Sequence, residues 1–312
     1  MDELLQDYEL QEIFPRQIVV SKLEKEGQGI LRRIHEHDEN AGGNFVEITG
    51  MPGSGKTSVM LSFINYTLKY HPNEKVYWSN SYGTPLQFVK LGEGKWTLLV
   101  ESGSGIKFYN RMTGKEVTNL DVTYFDSFED LYLKAVPGKC NAVFFKDRHV
   151  WMEFVKFLRS KYGWHHIYID EFGEVCPSDS DGDLWKRIGE FAIRTVGEVR
   201  KCCINVVYNT QSVADIDYRP RRKLMIKIYL PGAKRDGMSR VTQKAIDRLI
   251  RDPKHGNFAY LDAIGVFGCV QFKDIFIPPA HMSLEARTPE MKEEFENALN
   301  GNNGKTIEND LS

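Results

Sequence analysis

An α/β fold, with a mainly parallel central sheet flanked by helices, is predicted by three observations. Short apolar runs of buried-strand character recur along the chain at Phe45–Thr49, Lys75–Ser79, Ala142–Phe145, His166–Ile169, Cys203–Tyr208 and Leu224–Leu230. Between several of them lie segments whose apolar residues return at helical spacing, Ser58–Tyr70, Val150–Tyr162 and Leu184–Arg200. Strands that alternate with helices join through crossovers, which gives parallel pairing and a sheet covered on both faces. The third observation is size: 312 residues, 41% of them hydrophobic, suffice for one large α/β domain with insertions.

Residues 1–43 form an N-terminal extension, polar and mostly helical (Lys22–His37), with a short apolar run Ile18–Val20 and a soft break at His37–Asn44. The main domain is expected over 44–272. Its first helix turns Val59, Met60, Phe63, Ile64 and Leu68 to one side. Residues of about 80–140 read as an insertion, because Trp96–Val100 and Ile106–Asn110 alternate around a Gly-Ser turn and suggest a β-hairpin. The helix at Val150–Tyr162 buries Trp151, Phe154, Val155 and Leu158; the next aligns Trp185, Ile188, Phe191, Ala192 and Val196. A helix over Arg240–Arg251 precedes a terminal hairpin of Phe258–Asp262 and Gly265–Phe272. Residues 273–312 form a C-terminal extension: a short acidic helix from Thr288 and Pro289 through Leu299, then an Asn/Gly-rich tail of disordered composition.

A formal charge of −2 exerts no global pull on nucleic acid, so any polyanion site has to be a local patch. The five cysteines (Cys140, Cys176, Cys202, Cys203, Cys269) show no CxxC spacing, which points to reduced thiols in an intracellular protein and away from zinc. The acidic start MDELLQDYELQEIF is not that of a signal peptide, and no stretch approaches the about 20 apolar residues of a membrane-spanning helix.

The chemistry is concentrated in three places. Gly50-Met51-Pro52-Gly53-Ser54-Gly55-Lys56-Thr57 matches G-x-x-x-x-G-K-[ST] between a strand and a helix. In such a P-loop the glycines let the backbone curl, so that its N–H groups and the helix N-terminus cradle phosphates. Gly50, Pro52, Gly53, Ser54, Gly55, Lys56, Thr57 and Ser58 are therefore assigned to ATP, with Lys56 reaching the β- and γ-phosphates and the Thr57 hydroxyl a ligand of Mg²⁺. Next, the strand His166–Ile169 delivers Asp170 and Glu171 to its C-terminal end, where open α/β sheets bind ligands. Asp170 is expected in the Mg²⁺ shell and Glu171 as the base for the attacking water. Finally, Asn209-Thr210-Gln211 ends the following strand, where the Gln211 amide is placed to sense the γ-phosphate and the lytic water.

Together these motifs resemble the additional-strand ASCE division of P-loop ATPases, in which the catalytic Glu directly follows the Mg-site Asp. The segment Arg200 to Arg222, RKCCINVVYNTQSVADIDYRPRR, resembles the FtsK–HerA superfamily of ring-forming DNA pumps, including genome-packaging ATPases of membrane-containing viruses and Zot-like phage morphogenesis proteins. The resemblance covers roughly residues 44–272; residues 80–140 have no counterpart in it. It implies a homo-oligomeric ring, commonly a hexamer, in which one subunit lends an arginine to its neighbour's γ-phosphate. Arg200, before the sensor strand, is the residue it points to, with Arg219 and Arg222 as alternatives. It further implies a translocase of double-stranded DNA that packages a viral genome, working with capsid or membrane-associated viral proteins in the host cytoplasm or on the virion. The alternative is a Zot-like assembly or secretion ATPase acting at a membrane with a partner protein.

One further feature suits such a role. Between Arg219 and Gly256 stand twelve Lys/Arg (219, 221, 222, 223, 227, 234, 235, 240, 244, 248, 251, 254) against three acids, Asp236, Asp247 and Asp252. Residues 219–254 are accordingly expected to contact DNA phosphates, with Pro231–Met238 as a mobile pore loop presenting Lys234 and Arg235.

Overall fold

The computed structural model describes residues 42–235, 237, 239–249, 251–252, 256–263, 266–272 and 284–292. The run Ile18–Val20, the helix expected at Lys22–His37 and the tail 300–312 lie outside them. Of the acidic helix, 289–292 are helical and 293–299 lie outside the described residues.

In chain order the main elements are β1 (Phe45–Thr49), α1 (Lys56–Tyr70), β2 (Lys75–Ser79), β3 (Trp96–Glu101), β4 (Lys107–Asn110), β5 (Val122–Phe125), α2 (Phe128–Lys134), β6 (Cys140–Phe144), α3 (Val150–Leu158), β7 (His165–Ile169), α4 (Gly182–Glu190), β8 (Ile204–Thr210), α5 (Tyr218–Arg221), β9 (Ile226–Tyr229), α6 (Gln243–Asp247), β10 (Arg251–Asp252), β11 (Gly256–Ala263), β12 (Val266–Phe272) and β13 (Leu284–Arg287). An 11-stranded sheet has the order β10-β11-β9-β1-β8-β7-β2-β6-β3-β5, with β12 on β11. From β9 to β5 it is parallel throughout; the edge built by β10, β11 and β12 is antiparallel. This is the mainly parallel α/β architecture that the alternating pattern predicts, and the terminal hairpin is present as β11–β12.

The parallel strands read as continuous apolar runs because both faces are covered. Alternate residues divide between two cores. Val46, Ile48, Val76, Trp78, Leu98, Val100 and Val207 pack with Val59, Met60, Phe63 and Ile64 of α1. On the opposite face Phe45, Tyr77, Leu99, Ile167, Ile169 and Val206 pack with Leu131 of α2, Trp151, Phe154, Val155 and Leu158 of α3, and Ile188 of α4.

The β-hairpin expected from Trp96–Val100 and Ile106–Asn110 does not form. Trp96–Glu101 is an interior strand of the main sheet, parallel to β6 and to β5. β4 pairs instead with β13 in a separate antiparallel ribbon, Phe108 opposite Ala286. Phe108, Leu284 and Ala286 are buried in the same core as α1. A period-two pattern and a turn signal specify two strands; they do not specify that the strands pair with each other, and burial of Leu98 and Val100 favours the interior position. Two helices are also shorter than their apolar periodicity suggests. Leu184–Arg200 divides into α4 and a π-helical turn, Phe191–Val196, whose shifted register buries Phe191, Ala192, Thr195 and Val196. Arg240–Arg251 is helical only over α6. The backbone N–H of Arg240 and the hydroxyl of Ser239 donate to Asp262, and Thr242 accepts from Ala245 N as the cap, so the helix begins only at Gln243.

One buried group gives the fold an acid limit. His165, at the start of β7, is 2% exposed, and neither ring nitrogen has a hydrogen-bond partner among the described residues. Burial, aided by the Lys75 ammonium, pushes its pKa down from 6.5 to about 4. Between those values the unfolded chain binds a proton that the folded chain refuses, so the stability is complete above 6.5 and is lost as pH falls towards 4. The loss at pH 4 is on the order of 3 kcal/mol. Melting temperatures from pH 7 to 4 should fall less steeply in a His165→Phe variant than in the parent; parallel curves would exclude His165 as the cause.

Candidate active site

β1 ends at Thr49, and residues 50–55 turn the chain into α1. Gly53 (φ 74°) and Gly55 (φ 95°) occupy the left-handed region, which side chains disfavour. Gly50 has a second reason to be glycine: a Cβ there would meet Ser54 Oγ at 2.4 Å and Leu230 Cβ at 2.9 Å. Gly55 caps α1 without any side-chain bond, which leaves the first-turn amides directed at an incoming anion, as a phosphate site needs. Lys56 is buried, and its ammonium donates to Gly50 O (2.8 Å) and Met51 O (3.1 Å). Burial lowers its pKa, opposed by the nearby charges of Glu171 and Asp170.

The sheet order brings the carboxylates there. β8 lies between β1 and β7, with Asn209 level with Ile48 of β1 and Tyr208 level with Ile169 of β7. Asp170, one residue beyond Ile169, therefore stands beside Asn209. Asp170 Oδ1 accepts from Asn209 Nδ2 at 2.6 Å, and the Thr57 hydroxyl is near enough to favour the ionised form of this carboxylate. Glu171 sits at φ 55°, a left-handed conformation that is costly for a residue with a Cβ and recurs at functional sites. Its Oε1 accepts from Thr210 Oγ1 at 3.1 Å and from Gln211 N at 3.5 Å. Burial raises the pKa of both carboxyls; the Asn209 bond is foremost in opposing it at Asp170, and the Thr210 bond at Glu171.

The donor set fits Mg²⁺. Thr57, at the start of α1, offers a hydroxyl and Asp170, just after β7, a carboxylate near it, and oxygen ligands supplied by one or two protein groups plus substrate phosphates suit that ion. No cluster of three or more His, Cys, Asp or Glu with metal-binding arrangement occurs among the described residues.

Lys56, Thr57, Asp170 and Glu171 thus come together. Gln211 joins them only through its backbone amide; the residue is exposed. The side chains that touch the carboxylates are Asn209 and Thr210, whose visible signal was only their place at the end of a buried strand. Arg148 also donates to the backbone carbonyl of Asp170 and carries no sequence signal, since KDRH reads as a solvated charged turn. Arg200 lies at the far edge of the sheet, before the seven-residue β8, where its carbonyl accepts from Gly43 N at 3.0 Å. A strand of that length spans roughly 23 Å, so Arg200 does not reach its own chain's P-loop.

The basic region is partly committed to the fold. Arg221 is buried against Glu47, Arg219 is forked onto Asp217 and lies over Trp185, and Arg240 pairs with Asp262. Lys223, Lys234, Arg235 and Arg248 are solvent-facing or nearly so. The expected pore loop begins against the nucleotide loop: Pro231 O accepts from Met51 N at 3.2 Å, and a Cβ on Gly232 would stand 2.7 Å from Met51. Asp236, Met238 and residues 253–255 lie outside the described residues.

No family model and no curated protein matches the chain. Among solved structures it is similar to the genome-packaging NTPase B204 of Sulfolobus turreted icosahedral virus 2, with 13% identity, TM-score 0.46, 73% of this chain and 96% of that one. It is also similar to the N-terminal domain of zonular occludens toxin from Neisseria meningitidis (14%, TM-score 0.34, 75% and 95%) and to EssC, ATPases 2 and 3, from Geobacillus thermodenitrificans (13%, 0.43, 77% and 41%). On its own geometry, a phosphate loop after β1 and an acidic pair after β7 with β8 inserted between them, the chain has the additional-strand P-loop NTPase fold.

Proposed function

We propose that this protein is an ATPase motor that hydrolyses ATP with Mg²⁺ and moves double-stranded DNA, packaging a viral genome. The observation that supports hydrolysis is the placement of Glu171 directly after Asp170, with its carboxylate held by Thr210 and by the Gln211 amide. The backbone of 50–58 would take the phosphates and Lys56 would turn from its carbonyls to the γ-phosphate. Thr57 and Asp170 would hold Mg²⁺, which when bound supplies positive charge to the phosphate oxygens. Glu171 would take the proton of the attacking water. Arg200 is proposed to act in trans, on a neighbour in a homo-oligomeric ring, because it stands far from its own P-loop.

The DNA reading is supported by the exposed cations Lys223, Lys234, Arg235 and Arg248. ATPase activity is expected to rise several-fold, on the order of 3- to 10-fold, with double-stranded DNA at low salt and to lose that stimulation steeply as salt increases. Lys56→Ala serves as the blank. Turnover indifferent to DNA in a fully assembled ring would sink the translocase reading and leave the ATPase reading standing.

A further inference from the structure

One buried cation near the site has no part in the reaction as drawn so far. Arg148 lies between β6 and α3, 8% exposed, at the same sheet edge as Asp170. Its Nη2 donates to the backbone carbonyl of Asp170 at 2.6 Å and to Ser79 Oγ at 3.1 Å, and its Nη1 donates to Ser81 Oγ at 2.9 Å and to the Glu174 carboxylate. Burial lowers its pKa to about 10, so the guanidinium remains charged at neutral pH. On the other side of the same peptide unit, the Glu171 N–H donates to Asn209 Oδ1 at 2.9 Å.

We propose that Arg148 is a positioning residue for hydrolysis: with Asn209 it grips both ends of the peptide bond that joins the metal-site Asp170 to the catalytic Glu171. A peptide unit is planar, so fixing its C=O and its N–H fixes the whole plane and with it the direction in which Glu171 leaves the strand. That restraint matters because Glu171 is left-handed (φ 55°), a conformation a non-glycine residue relaxes from unless its surroundings hold it. Asn209 alone contacts only the amide end and also serves the Asp170 carboxylate. Arg148 supplies the carbonyl end and, through Ser79 and Ser81, ties the plane to β2 and the loop after it, where the Asp170 N–H already donates to Ser79 O at 2.9 Å. Its planar fork of donors suits it to several oxygens at once, which a lysine cannot match.

The inference rests on the hydrolytic reading of Glu171, and its test is built to separate the two. Arg148→Gln is read by hydrogen exchange across residues 166–174 and by steady-state ATPase kinetics. The Glu171 amide should exchange roughly tenfold or more faster. The value of kcat should fall by roughly tenfold to 100-fold, the scale of a slightly misaligned reacting group, with KM and nucleotide affinity changed less than about threefold. If Arg148→Gln does not fold, Arg148→Lys and the pair Ser79→Ala with Ser81→Ala are read in the same way, the lysine variant recovering only part of the lost turnover. Unchanged exchange at Glu171, or a kcat loss matched by an equal loss of nucleotide affinity, overturns the proposal. A parent protein that hydrolyses nothing would refute the ATPase reading, whereas the exchange measurement still decides the clamp.

Discussion

Glu171→Gln is expected to bind ATP as the parent does while turning it over roughly 10²–10⁴-fold more slowly, the contribution of a positioned general base. The substitution preserves size and the acceptor used by Thr210 Oγ1 and by the Gln211 amide, so the local fold should survive. What it removes is the capacity to take a proton. Fluorescent-nucleotide binding and steady-state phosphate release, measured side by side, check the result. Turnover within threefold of the parent would show that the water is activated elsewhere and would dismantle the mechanism. A loss of binding equal to the loss of rate would instead make Glu171 part of the nucleotide cradle.

Arg221→Ala is expected to have the largest effect on stability away from the reacting groups. Glu47, in the middle of the P-loop strand, is fully buried and accepts from Arg221 Nε at 2.9 Å and from Tyr208 OH at 2.8 Å. Removing the arginine leaves a carboxylate inside an apolar core, a change that costs about 3–5 kcal/mol. Urea unfolding should show the free energy of unfolding falling by that amount, with the midpoint shifted down accordingly. Replacing both partners, Glu47→Gln with Arg221→Met, should recover more than half of the loss, because the neutral amide still serves Tyr208 and no buried charge remains. A cost below about 1 kcal/mol for the single change would mean that water reaches Glu47 and the pair contributes little.

Much of this was legible in the sequence, and its limits have physical causes. The P-loop was readable because it is local: its geometry depends on glycines at fixed spacing. Asp170 and Glu171 were readable because an apolar strand that ends in acids exposes them at a known edge of a parallel sheet. Gln211 is a neutral amide at the end of the next buried strand, which suggests a γ-phosphate sensor, yet register places the Asn209 and Thr210 side chains, not that of Gln211, on the carboxylates. The partners of Trp96–Glu101 and Lys107–Asn110 were not readable, since hydrophobic alternation describes a strand's faces and says nothing about its neighbours. Arg148 and Arg221 were hidden for the opposite reason. Charged residues in charged segments look solvated until the fold supplies the carbonyl or carboxylate that makes burial tolerable.

The pairing of β4 with β13 has a consequence in time. A chain is made from its N-terminus, and β4 is complete long before residues 284–287 exist. The same delay applies to β1, whose two neighbours in the sheet, β8 and β9, are both made well over a hundred residues later. During synthesis the loop after β1 thus appears well before the strands that frame it. Contacts so distant along the chain form slowly, and the edges of β1 and β4 stand open to wrong partners in the interval.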